Sequence, residues 1–111
     1  MKAKYLFDMV EQTIKNGGDE IWMCLNYGQP FGIRYHGTQM TSAALFGIIK
    51  DLMNDKGDGN VCISFEKTSD GIVRDINIDI CDDSHRYGMC VDSVRLTGDG
   101  MLISVRETSG E

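Results

Sequence analysis

The sequence predicts a single α+β domain over residues 1–111, an antiparallel sheet packed against one or two helices in the order α-β-β-α-β-β-β-β, its last four strands forming a meander. Three observations predict it: a helical apolar period in two N-terminal segments, a change to period two after residue 60, and turn-forming glycines between the segments. A chain of 111 residues is long enough to bury one core without disulfide or metal staples. With 41% hydrophobic and 25% charged residues it is neither a disordered chain nor a collagen-like repeat.

In residues 3–16, Leu6, Met9, Val10 and Ile14 recur at spacings of three and four and form one apolar stripe on a helix. Asn16, Gly17 and Gly18 then supply the residues that end it. Residues 21–27 and 31–36 are β-rich runs around Gly28, Gln29 and Pro30, the pattern of a hairpin. A second helix follows, capped by Thr38 or Thr41 and striped by Leu45, Ile48, Ile49, Leu52 and Met53, before the 54–60 loop. Next, Val61, Ile63 and Phe65 alternate with Cys62, Ser64 and Glu66, and Ser69, Asp70 and Gly71 turn the chain. In residues 72–80, Ile72, Ile76, Ile78 and Ile80 face one way and Asp75, Asn77 and Asp79 the other, with Arg74 at the strand's start. Residues 87–96 and 101–105 complete the set around Gly98, Asp99 and Gly100. This order of elements is similar to that of profilin-like and roadblock-type small domains. The extra C-terminal strand departs from the roadblock pattern, and the similarity concerns topology alone.

Charge is unevenly distributed. Seventeen acidic against eleven basic residues give a net charge of -6; residues 1–50 are net +1 and residues 51–111 net -7. That balance disfavours direct nucleic-acid binding and contact with an anionic membrane. Asp8 and Glu11 interrupt the first apolar stretch before it reaches signal-peptide length, and no run is long enough to span a membrane. Cys24, Cys62, Cys81 and Cys90 lack any C-x-x-C pair, so they are expected to be reduced, in a cytoplasmic protein.

Four segments invite a chemical reading. Asp55 and Glu66 occupy the ends of an EF-hand frame, but Gly57 and Gly59 bring no side-chain oxygen and Asn60 stands where glycine is required, so calcium is not expected. Cys81, Asp83 and His85, with His36, are metal-ligating residue types, yet neighbours in a turn diverge and no metal or other cofactor is expected. Tyr27, Phe31, Arg34, Tyr35 and His36 concentrate stacking and cationic groups on the first hairpin. Asp75, Asn77 and Asp79 repeat every second residue, about 6.6–6.8 Å apart on an extended strand, with Asp82 and Asp83 beyond.

The resulting expectation is a non-enzymatic acidic module. Asp75, Asn77, Asp79, Asp82 and Asp83 would meet a protein partner with a basic groove, as in an inhibitor of a nucleic-acid-handling enzyme of the phage counter-defence type. The alternative is a small-molecule or nucleotide binder that uses Tyr27, Phe31, Arg34, Tyr35 and His36, with Arg86 or Arg95. An enzyme built on Cys81 or Cys90 with His85 is the third.

Overall fold

Two amphipathic helices and a curled mixed sheet share one core in the computed structural model, which describes residues 1–65, 73–81 and 88–108. Helix α1 (Ala3–Lys15) buries Ala3, Leu6, Val10 and Thr13. The fourth member of the expected stripe, Ile14, is exposed, and the smaller Thr13 sits in its place with Oγ1 donating to the Met9 carbonyl. Gly17, at φ 80°, takes the left-handed position that ends the helix. Helix α2 (Ser42–Lys56) starts at Thr41, whose Oγ1 accepts from the Ala44 amide at 3.2 Å, and buries Leu45 and Ile49. It extends through Asn54, Asp55 and Lys56 and ends at Gly57, where φ is 81°.

The strands are β1 (Glu20–Leu25), β2 (Phe31–Tyr35), β3 (Thr38–Gln39), β4 (Asn60–Phe65), β5 (Val73–Cys81), β6 (Gly88–Leu96) and β7 (Gly100–Thr108). They form one sheet in the order β1-β7-β6-β4-β5-β2-β3, and β1 also pairs with β2, so the pairings return to their starting strand. Helix α1 lies on α2, β6 and β7, and α2 reaches β5. The apolar strand face, including Ile21, Met23, Ile33, Val61, Ile63, Ile76, Ile78, Ile80, Val91, Met101, Ile103 and Val105, closes the core against them.

Two expectations are corrected. The sheet is mixed rather than antiparallel, because β1 runs parallel to β7 and β2 parallel to β5. Nor are the last four strands a meander: β4 lies between β5 and β6. Val61 and Ile63 of this central strand fill the core, and Cys62 between them is buried on the opposite face. The sequence order also lacks β3, whose two residues are too few to show a period. The expected turn at residues 69–71 lies outside the described residues.

Candidate functional site

The first hairpin is built differently from its sequence pattern. The turn is Asn26–Tyr27, both at positive φ (52° and 63°), with the Gly28 amide donating to the Leu25 carbonyl at 2.9 Å: the hallmark of a type I′ turn. Glycine and asparagine carry such a turn at little cost; a tyrosine there is uncommon. It is held from outside. The Tyr27 hydroxyl donates to Asp92 Oδ2 at 2.8 Å and accepts from Arg106 Nη2 at 2.9 Å, while Asn26 Oδ1 accepts from the Glu107 amide.

Beyond the turn, β1 and β2 stay paired only at Met23–Phe31 and Trp22–Gly32. They then part, because β1 continues along β7 from Leu25 back to Glu20 while β2 turns into β3 through His36 and Gly37, another pair at positive φ. Between the parting strands opens a cleft of about 440 Å³ lined by Glu20, Ile21, Trp22, Pro30, Phe31, Gly32, Ile33, Arg34 and Gln39. Alternation explains its chemistry: Ile21 and Ile33 are core residues, whereas Glu20, Trp22 and Arg34 belong to the outer face. Trp22 keeps 40% of its surface exposed. Its directly opposed neighbour is Gly32, which has no side chain to cover the indole. The indole Nε1 donates to Glu20 Oε1 at 3.2 Å, which fixes the ring at the cleft mouth.

The five aromatic and cationic candidates of this hairpin do not converge. Phe31 and Arg34 line the cleft. Tyr27 is tied to Asp92 and Arg106, and Tyr35 and His36 stack edge to face at 4.3 Å at the opposite end of β2. Five extended residues separate those ends by about 13 Å. Tyr35, with Thr38, Gln39, Met40, Ala44 and Ile48, instead borders a shallower hollow of about 240 Å³. Arg95 is exposed on β6, and Arg86 lies outside the described residues. Trp22, Glu20 and Gln39 were missed in the sequence. The signal for the first was present: in the alternation of Ile21, Trp22 and Met23, the tryptophan must point away from the core.

On β5, Asn77 and Asp79 are exposed as the alternation requires, and Asp75 is half-buried. Both carboxylates have partners within the chain. Asp75 is directly opposite Arg34 in the parallel β2–β5 pair, and its Oδ1 lies 3.3 Å from Arg34 Nε, close enough for an ion pair but without hydrogen-bond geometry. Asp79 pairs with Lys56 at the end of α2 and also accepts from the Ile80 amide at 2.8 Å. The hydrogen bond from Lys56, opposed by partial burial and aided by that amide, holds the Asp79 carboxyl below the usual carboxylate range. Asp82, Asp83 and His85 lie outside the described residues. Among the described residues, no group of three or more His, Cys, Asp or Glu side chains is arranged to hold a metal ion, and no helix is long and apolar enough to cross a membrane.

In comparison with known proteins, no family model, no curated protein and no solved structure matches this chain.

Proposed function

We propose that the protein is a non-enzymatic binding module whose recognition site is the β1–β2 cleft, and that its ligand is a planar organic anion of the nucleotide kind. The single observation that carries this reading is the cleft itself, about 440 Å³ with a half-exposed tryptophan at its mouth. Ligand pockets commonly run to roughly 300–1,000 Å³, with mostly apolar walls and a few polar groups that set orientation. Here Ile21, Trp22, Pro30, Phe31 and Ile33 form the walls, and Glu20, Arg34 and Gln39 are the polar groups. The Trp22 face offers a stacking plane, Arg34 a cationic fork for a phosphate or carboxylate, and Gln39 and Glu20 partners for a ring edge.

Trp22 is the only tryptophan, so its fluorescence reports on this cleft alone. Titration with nucleoside monophosphates and with inorganic phosphate should quench it saturably with the nucleotides, and Gln39→Ala and Arg34→Met should each weaken binding about tenfold, as loss of a hydrogen bond to a charged or oriented group does. No saturable response to any nucleotide, or an unchanged affinity in both variants, contradicts the reading. The exposure of Asn77 and Asp79 favours a second reading, a basic protein partner on the outer face of β5. Such a partner would compete with Arg34 and Lys56 for the carboxylates they already hold.

A further inference from the structure

Three of the four cysteines gather on the outer face of the sheet, away from the cleft. Val61 and Ile63 fill the core, so Cys62 between them points outward, and on β6 it is directly opposite Cys90. On its other side Cys62 is opposite Asp79, with Cys81 two residues further along β5, opposite Asn60. Cys62 is buried, whereas Cys81 and Cys90 are partly exposed. Burial pushes the Cys62 thiol well above its ordinary pKa, and the neighbouring thiols Cys81 and Cys90 add to the effect. It remains protonated, with Sγ 3.8 Å from the Asn60 carbonyl oxygen.

We infer that this cluster is an oxidation site, at which hydrogen peroxide converts Cys62 and Cys90 into a cross-strand disulfide while Cys81 and Cys24 stay reduced. Register selects the pair. Directly opposed residues of antiparallel strands have Cα atoms about 4.5–5.5 Å apart, inside the roughly 4.4–6.8 Å that a disulfide spans. The Cys81 thiol is the stronger neighbour of the Cys62 thiol, but Cys81 sits diagonally on β5, a relation that puts the two Cα atoms about 7–8 Å apart and beyond that span without backbone movement. Cys24 lies on β1, separated from β4 by β7 and β6, with its sulfur 3.4 Å from Ser104 Oγ.

Exposure sets the order of events. The partly exposed Cys90 reacts before the buried Cys62: its sulfur attacks peroxide, an S–O bond forms as the O–O bond breaks, and the displaced hydroxide leaves as water with the thiol proton. The Cys62 sulfur, giving up its proton, then attacks the Cys90 sulfenic acid; the S–S bond forms, the S–O bond breaks and a second water leaves. Two thiols are oxidised by two electrons and one peroxide is reduced to two waters.

The site also sits at one of the short pairings of the sheet. The β4–β5 and β6–β7 hairpins pair along most of their strands, but among the described residues β4 meets β6 only at Cys62–Cys90 and Ile63–Met89. A bridge there fastens the two hairpins together and closes a long loop of the unfolded chain, so the oxidised protein should melt about 10 °C higher.

The test is stoichiometric peroxide on the folded, reduced protein, followed by alkylation and peptide mapping without reductant. The expected product has lost two hydrogens, contains a Cys62–Cys90 bridge, and carries alkyl groups on Cys24 and Cys81. Cys81→Ser should form the same bridge, and Cys90→Ser, which alters only a partly exposed position, should form none. A bridge involving Cys81, a bridge between two copies, sulfinic acid at Cys90 beside an intact Cys62 thiol, or no oxidation at all overturns the inference.

Discussion

The β1–β2 cleft and the outer face of β5 are neighbours joined by Arg34, which lines the first and pairs with Asp75 of the second. By composition the β5 face is the more conspicuous, since it belongs to the half of the chain that carries the net charge of -7. Its carboxylates are nonetheless matched by cations from β2 and α2. The cleft holds one cation and one carboxylate, Arg34 and Glu20, and keeps an aromatic ring uncovered beside its open volume. Recognition capacity depends on surface left uncovered, and a charge count cannot show where that lies.

The largest loss is expected from substitution at Gly100. A Cβ at this position would collide with the Glu20 backbone, directly opposite it in the parallel β1–β7 pair that holds one wall of the cleft. Gly100→Ala should therefore cost about 3 kcal/mol or more in urea unfolding, and ligand binding should go with it. Trp22→Ala removes a half-exposed ring and should spare the fold while weakening nucleotide binding about tenfold, roughly 1.4 kcal/mol, as measured by calorimetry.

Two substitutions sharpen the contrast within β5. Asp75→Ala leaves the buried Arg34 Nε without the carboxylate beside it and should cost about 1 kcal/mol, whereas Asp79→Ala, at an exposed site, should stay within about 0.5 kcal/mol. The smallest effect is a pH dependence. Because Lys56 lowers the Asp79 pKa, the pair's stabilisation is fully present above the ordinary carboxylate value, about 3.9, and is lost as pH falls through the lowered folded value. Lys56→Met should raise the Asp79 midpoint in an NMR titration, and the stability difference from the parent should vanish in strong acid.

Local signals account for what could be read in advance. Two helical stripes apart from Ile14, the Thr41 cap and the strand alternation of Ile76–Ile80 reflect interactions within a few residues, and the structure has them, whereas the burial of Cys62 breaks the alternation expected for Val61–Phe65. Partner choice between strands is not local. The parallel pairings β1–β7 and β2–β5 join segments far apart in the chain, and the alternation of Ile76, Asn77 and Ile78 reads the same beside either neighbour. The site followed the same division. Phe31 and Arg34 were legible as candidates, but the parting of β1 from β2 that brings Trp22, Glu20 and Gln39 around them depends on the turn at Asn26–Tyr27, where tyrosine gives no turn signal. Likewise, the neutralisation of Asp75 and Asp79 depends on registers that place Arg34 and the end of α2 beside them.

The measurement that bears most directly on the cleft as the recognition site is amide chemical-shift mapping during titration with a nucleoside monophosphate. Saturable shifts should concentrate at Glu20, Ile21, Trp22, Phe31, Gly32, Ile33, Arg34 and Gln39, with Asn77 and Asp79 unmoved. Shifts centred on Asn77 and Asp79, or a spectrum unchanged at saturating ligand, would contradict it.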